Sequence, residues 1–424
     1  MATNDMNSGN LLITGCTIVT PLGAKASKGS DMGRLLVVKN ATIAIVKGII
    51  AYAGPDADYD ASVFGDAEYR HIKAEGKVAM PGFVDSHTHA LFGGFRPDEF
   101  SWRLNGESYM SIMERGGGIQ STVNATRRES PEEMARKTEY FIHRMSEMGV
   151  TTVEIKSGYG LDVETEAKML DTIAKIKDDS KSLIDIVTTF LGAHAVPAEY
   201  KGRTGEYVDL MINEMLPAFK DKAEFCDIFC EKNVFEIEDS RRFMQAAKDS
   251  GYKLKFHADE IVQLGGAELA VELGSTSADH LLHVSDEGVA ALASSDTVAT
   301  LLPLTAFALK EPYAPARKMI DAGCAVALAT DLNPGSCFSG SIPLTIALGC
   351  IYMGMKIEEV ITALTLNGAA ALGLADKTGS IEVGKRGNLV MLGSDNYNVL
   401  PYYVGMNCVQ TTIHEGNIVY VDKY

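Results

Sequence analysis

The sequence predicts an α/β protein, a (β/α)8 TIM-like barrel with a small β-sandwich built from the N- and C-terminal segments. Three observations carry that expectation. Eight apolar, β-type runs between Phe83 and about Asp331 are separated by stretches of helical period. All-β material occupies both ends of the chain, and neither end alone has enough strands to bury a face. The first central run stops in His87-Thr88-His89, where a doubly wound open sheet would carry a glycine-rich dinucleotide loop.

At 424 residues and 46% hydrophobic, the chain can bury a large core. Its 39 Lys and Arg against 56 Asp and Glu give a formal charge of −17, which argues against nucleic acid or an anionic membrane as partner. The seven cysteines are scattered, mostly inside apolar runs, and read as reduced core residues of a cytosolic protein. Residues 1–10 lack the basic and apolar regions of a signal peptide, and no apolar run approaches a membrane span, so a cytoplasmic location is expected.

In chain order, residues 11–19, 35–38, 42–46 and 49–53 read as strands, with Lys47-Gly48 as a turn before the last. The polar insert at 25–33 reads as a mobile loop. Barrel strands are expected at 83–87, 151–155, 185–190, 227–230, 253–257, 277–281, 297–302 and 325–330. Ser130-Pro131-Glu132-Glu133 is a capping box with proline at the first helical position, ahead of a Met134, Tyr140, Phe141, Met145 stripe. Glu238-Asp239-Ser240 precedes a helical stretch, 243–247, that stops at Gly251. Helices follow at 342–353, 357–366 and 369–374, and β-type runs return at 379–383, 389–392, 411–414 and 418–421. Residues 1–80 and 376–424 are thus assigned to the sandwich and 81–375 to the barrel.

Active sites of such barrels lie at the C-terminal strand ends. There the sequence places His87 and His89 on strand one, His257 on strand five, His280 on strand six and Asp331 on strand eight, with His194 just beyond strand three. Each alone is as easily a backbone-bonded core residue or a turn cap; their concentration on one rim argues for chemistry. The i, i+2 spacing turns His87 and His89 to one face of the strand. His87, His89, His257 and Asp331 offer three nitrogens and one oxygen, suiting one metal per subunit, Zn2+ or Fe2+/Fe3+, with a position left for water. Such an ion brings the pKa of bound water towards neutrality. Glu260, three residues after His257, is placed as the proton shuttle, with Asp331 able to share that work. His280 would orient the nucleophile or polarise the attacked carbonyl, with a fifth-ligand role as its alternative. Strand four ends in Phe229-Cys230-Glu231-Lys232, with no lysine at the strand end to bridge two metals, so one metal is favoured. Cys230 or Glu231 as an extra ligand stays open. His71, His143, His283 and His414 lack this placement and read as structural or surface residues.

Arg96, on the glycine-hinged Phe92-Gly93-Gly94-Phe95-Arg96 loop, has the fork to take a substrate carboxylate, its alternative being a surface ion pair. Tyr159 and His194 emerge from strands two and three, and Asn333-Pro334-Gly335-Ser336 is a turn able to offer amide, backbone and hydroxyl groups. A small anionic substrate follows from that cationic clamp.

Five segments together carry a resemblance: Asp85-Ser86-His87-Thr88-His89-Ala90 with Gly93-Gly94-Phe95-Arg96; Glu154-Ile155-Lys156-Ser157-Gly158-Tyr159-Gly160; Gly192-Ala193-His194; His257-Ala258-Asp259-Glu260; and Thr330-Asp331-Leu332-Asn333-Pro334-Gly335-Ser336. On these the chain resembles the amidohydrolase superfamily over nearly its whole length, and within it the imidazolonepropionase family. The His-x-His marks only the superfamily; the Lys-Ser-Gly-Tyr-Gly and Asp-Leu-Asn-Pro-Gly-Ser runs are far more specific. The resemblance implies a metal-dependent hydrolase of histidine degradation, opening the cyclic amide of 4-imidazolone-5-propanoate to N-formimidoyl-L-glutamate. It implies His87, His89, His257 and Asp331 as ligands, Arg96, Tyr159 and His194 holding propanoate and ring, Glu260 meeting the ring, and Asn333, Gly335 and Ser336 lining the opposite wall. It also implies a cytoplasmic homodimer. One departure is Arg386-Gly387-Asn388-Leu389, where relatives usually carry Ala-Asp-Leu, which puts a local turn in doubt.

A deaminase of a cyclic base such as cytosine or guanine, in the same fold, is the nearest alternative. A neutral base has no use for Arg96 in the pocket. A non-enzymatic barrel would be expected to have lost ligands, and here the set is complete.

Overall fold

The structure, a computed structural model, describes residues 9–107, 111, 115, 117–181 and 183–422. Most of the polar start, residues 1–8, lies outside the described residues. In chain order the strands are β1 (Leu11–Thr20), β2 (Leu36–Val46), β3 (Ile49–Pro55), β4 (Arg70–Lys73), β5 (Val78–Pro81), β6 (Phe83–Asp85), β7 (Val150–Lys156), β8 (Asp185–Ala193), β9 (Phe225–Cys230), β10 (Lys253–Ala258), β11 (Ser277–His280), β12 (Val298–Leu301), β13 (Val326–Leu328), β14 (Leu389–Leu392), β15 (Val409–His414) and β16 (Asn417–Val421).

Strands β6 to β13 pair in sequence order, every neighbour parallel, with helices between them. This is the barrel the periodicity predicts. Its strands are buried almost throughout because helices cover the outside and side chains fill the inside, which is why they read as apolar runs. The ring closes just past the strand ends: Asp331 N–H donates to His87 O at 3.0 Å and His89 N–H to Leu332 O at 2.9 Å.

The terminal strands form one sheet in the order β16-β15-β14-β5-β1-β2-β3, with β4 also on β1. Register shifts inside β1 let β4 pair its Leu11–Thr14 half and β5 its Thr17–Ile18 portion along one edge. Curled over, the sheet encloses Leu11, Ile13, Ile43, Ile45, Leu389, Met391 and Ile413, giving the small sandwich. The β2–β3 hairpin turns at Lys47 (φ 50°) and Gly48 (φ 81°), both left-handed as a two-residue hairpin turn requires.

Several local expectations are corrected. Residues 36–46 make one strand, not two. β4 and β5 were not foreseen, being only four residues each, with β5 ending in proline. Residues 379–383 are not a strand: Ile381 N–H goes to the Thr20 hydroxyl (2.8 Å) instead of a ladder. The 25–33 insert is pinned to the barrel, with Met32 fully buried, Ser27 N–H on Asn367 Oδ1 at 2.8 Å and Gly29 N–H on Cys324 O at 3.0 Å. In the helix Pro131–Glu147, Ser130 accepts Glu133 N–H, but the Glu133 side chain pairs with Arg136, so only half the capping box forms. Tyr140 points outward at 59% exposure, since it lies off the Met134–Met145 stripe by the helical repeat. The next acidic start signal sits inside its helix, Ile237–Asp249, whose N-cap is Glu236. No helix among the described residues is long and apolar enough to cross a membrane.

Candidate metal centre and active site

The rim is built by strand ends that stop in polar residues. β6 ends at Asp85, whose carboxylate accepts the N–H (3.0 Å) and hydroxyl (2.6 Å) of Thr330, anchoring the turn that carries Asp331 beside His87 and His89. Asp331 sits in the left-handed region (φ 53°), as do His280 (74°) and Leu281 (61°). Such backbone costs about 1–3 kcal/mol per residue and collects where a side chain must be aimed. Thr305 donates its hydroxyl to Asp331 Oδ2 at 2.5 Å. The other oxygen, Oδ1, lies 3.7 Å from His87 Nε2 and 3.6 Å from His89 Nε2.

The four residues proposed as ligands converge. His89 Nε2 and His257 Nε2 are 3.3 Å apart, and the His87 and His257 rings have centroids 4.6 Å apart. Two ligands about 2.0–2.1 Å from one tetrahedral ion lie about 3.3–3.4 Å apart, so the spacing suits a shared cation. Among the described residues, His87 Nε2 is buried without a hydrogen-bond partner, which fits a nitrogen reserved for a metal. The triads His87, His89, Asp331 and His87, His257, His280 each bring their donor atoms within 4.8 Å of one another. The donor set therefore fits a divalent ion.

Electrostatics keeps the nitrogens available. Burial, then neighbouring cationic groups, holds His87, His89 and His280 well below the ordinary histidine range, so they are neutral lone-pair donors. Burial would push His257 the same way, but the adjacent Asp227 carboxylate outweighs it and raises the pKa. Burial lifts Asp331 to about 6. Glu260, near His280 (Oε2 to Nε2 3.4 Å), is pushed to about 8, first by burial and then by the Asp331 charge.

The end of strand four supports the rim through hydrogen bonds. Glu231 accepts the N–H groups of Ile261 (2.8 Å), Val262 (3.4 Å) and, through its other oxygen, Lys232 (2.8 Å). Burial pushes the Cys230 thiol up to about 12, leaving it protonated.

On the substrate side, Tyr159 is buried 5.0 Å centroid to centroid from His194, which stacks on His89 at 4.8 Å. His194 Nδ1 meets Gly158 O at 3.0 Å, and burial lowers its pKa to about 3. Burial raises the Tyr159 phenol, which stays neutral. Glu166 organises this loop by accepting N–H from Gly158 (3.1 Å), Gly160 (2.8 Å) and Leu161 (3.0 Å). Arg96 makes a 3.4 Å contact with Glu99 and lies against Gly335, where a Cβ would come within 2.0 Å of its Nη2. Asn333 Oδ1 ties the turn by accepting N–H from Gly335 (2.8 Å) and Ser336 (2.8 Å), and its amide meets Ser336 Oγ at 3.0 Å. The structure thus brings Arg96 onto the 333–336 turn, and Tyr159 and His194 onto His89.

Sequence reasoning missed Thr305, Glu166 and a set of charged residues below the histidines: Glu154, Lys156, Asp227, Lys255 and Asp279, all fully buried. A signal was present. Glu154 and Lys156, and Lys255 and His257, are spaced i, i+2 along their strands, which turns each pair to the barrel interior.

Known proteins share this architecture. The amidohydrolase family matches residues 78–419. An imidazolonepropionase of Bacteroides thetaiotaomicron is 62% identical over 411 residues, covering 96% of this chain and 98% of that protein. One of Phocaeicola vulgatus is 60% identical, covering 97% and 99%. The solved 5-methylcytosine deaminase of Klebsiella pneumoniae superposes with a TM-score of 0.73 over 97% of this chain and 98% of its own, at 18% identity, a likeness of fold alone. A match of this extent, on a barrel whose rim gathers histidines and an aspartate, establishes that the chain belongs to the amidohydrolase family and, within it, to the imidazolonepropionase family.

Proposed function

We propose that the chain is a metal-dependent hydrolase that opens the ring of 4-imidazolone-5-propanoate to N-formimidoyl-L-glutamate. Near-complete alignment with imidazolonepropionases carries this reading. The placement of Arg96 against the 333–336 turn supports it, because an anionic substrate needs a cation there and a neutral base does not.

His87, His89, His257 and Asp331 would hold one ion, zinc or iron. Such an ion supplies Lewis acidity, polarising a carbonyl and acidifying water. Arg96 binds the propanoate carboxylate, while neutral Tyr159 and His194 position the ring and Asn333, Gly335 and Ser336 close the opposite wall. Water adds to the ring carbonyl carbon, the amide C–N bond breaks, and the proton lost by water travels through Glu260 to the departing nitrogen. Glu260 suits that task because its pKa, about 8, lets it both take and return a proton near neutrality. His280, 3.4 Å from Glu260, faces the developing oxyanion, and Asp331 assists the first proton transfer.

This reading includes a sandwich from 1–80 and 376–424 around a barrel at 81–375. It also includes a homodimer in the cytoplasm, supported for location by seven cysteines that are all free. The test is ultraviolet monitoring of imidazolone propanoate loss, with Glu260→Ala and Arg96→Ala beside the parent. Glu260→Ala lowers kcat about 10²–10⁴-fold, and Arg96→Ala chiefly raises KM. Small, equal effects, or ammonia release from cytosine or guanine instead, would overturn the reading.

A further inference from the structure

Below the histidines, the barrel interior holds five fully buried charged side chains: Glu154 and Lys156 from β7, Asp227 from β9, Lys255 from β10 and Asp279 from β11. They form one connected layer. Lys156 Nζ lies 2.7 Å from Glu154 Oε2 and 2.8 Å from Asp227 Oδ2. Lys255 Nζ lies 3.4 Å from Asp279 Oδ2 and 3.9 Å from Glu154 Oε1. It also donates to Ser86 O at 3.2 Å and to Ser277 Oγ at 2.8 Å. Glu154 links the two lysines and is itself held by the Thr189 hydroxyl.

The upper edge of the layer meets the imidazoles. Asp279 Oδ2 is 2.6 Å from His87 Nδ1, and Asp227 Oδ2 is 3.1 Å from His257 Nδ1. An ionised carboxylate only accepts, so each imidazole must present Nδ1–H to it and keep Nε2 bare. A carboxylate confined to the barrel interior holds its charge and aim only when a cation is paired with it. Here that cation is a lysine.

We propose that Lys156 and Lys255 are positioning residues for the metal centre. They fix the Asp227 and Asp279 carboxylates against Nδ1 of His257 and His87, which aims each ring with Nε2 turned to the ion, and so set metal affinity. This rests on the metal-holding reading of the site, so the experiment reads metal binding directly. Chelator-stripped protein is titrated with Zn2+ alone, in competition with a coloured chelator, for the parent, Lys156→Met, Lys255→Met, Asp227→Asn and the surface control Lys177→Met.

The expected result is a zinc dissociation constant raised about 10–100-fold in the three layer variants and unchanged in the control. Parent protein that binds no zinc or iron would defeat the metal reading itself. Parent that binds while folded layer variants bind within twofold of it would overturn this proposal alone. Where a variant fails to fold, ¹⁵N-histidine NMR of the stripped parent decides. Two imidazoles, His87 and His257, are expected as Nδ1–H tautomers with unprotonated Nε2, and Nε2–H tautomers at these positions would overturn it.

Discussion

Glu231 Oε2 accepts the backbone N–H of Ile261 at 2.8 Å, and in doing so fixes the residue before it, Glu260. The end of strand four would therefore act on the reaction through Glu260, the proposed proton shuttle. Glu231→Gln replaces one accepting oxygen with a donor and leaves an N–H of the 260–262 segment or of Lys232 facing it. A charge-assisted bond of this type is worth about 1.5–3 kcal/mol. The expected outcome is a roughly tenfold or greater fall in kcat, with KM and bound metal unchanged, measured by steady-state kinetics and metal analysis.

Gly335 admits Arg96. A methyl group there would overlap the guanidinium, with Nη2 at 2.0 Å and Cζ at 2.8 Å from the added carbon. Gly335→Ala is expected to displace Arg96 and raise KM for the propanoate substrate about tenfold while changing kcat less. A substrate analogue lacking the carboxylate should bind parent and variant alike, as inhibition constants would show.

The departure Arg386-Gly387-Asn388 proves to be a junction. Arg386 Nη1 (2.5 Å), Asn388 Nδ2 (3.2 Å) and His414 Nε2 (3.5 Å) all reach Asp185 Oδ2 at the start of β8, joining the small sheet to the barrel floor. Burial opposes the Asp185 charge, but His414 and Arg386 outweigh it and hold the carboxyl below its ordinary value. A depressed carboxyl stabilises the fold above its unfolded pKa of about 3.9 and loses that contribution as pH falls through the folded value. Asp185→Asn should therefore cost roughly 1–3 kcal/mol at pH 7. The gap to the parent should close as pH falls below the ordinary carboxylate value, as thermal melts across pH would reveal.

Stripping the ion should lower the melting temperature as well as abolish turnover, because His89 and His257 are left with Nε2 atoms 3.3 Å apart and no shared cation. At a free ion concentration of 100 times the dissociation constant, binding stabilises by about 2.7 kcal/mol. Zinc or ferrous iron, added back, should restore both; calorimetry and activity measured on the same samples check this.

The barrel was legible because its strands are short, apolar and regularly spaced, and because His87, His89, His257, His280 and Asp331 fall where each run stops. What escaped has physical causes. β4, Arg70–Lys73, is half exposed and carries no apolar signal, so only its pairing with β1 makes it a strand. Residues 25–33 look like a loop by composition, yet Met32 and contacts from Asn367 and Cys324, far along the chain, hold them down. The partners of Lys156 and Lys255 were hidden, since a single sequence does not reveal which acids will meet them across a barrel. Glu166 and Thr305, likewise, act through partners brought close only by the fold.

The seam of the barrel has one more implication. Its first and eighth strands are bridged through Asp331 N–H to His87 O and Thr330 to Asp85, across 245 positions of chain for the latter pair. The same stitches that shut the cylinder deliver the aspartate to the histidines. A nascent polypeptide thus emerges from the ribosome with its imidazoles exposed but without a finished cage. Only when the last strand docks would an ion held by these histidines gain its oxygen donor, and its binding would then clasp the join.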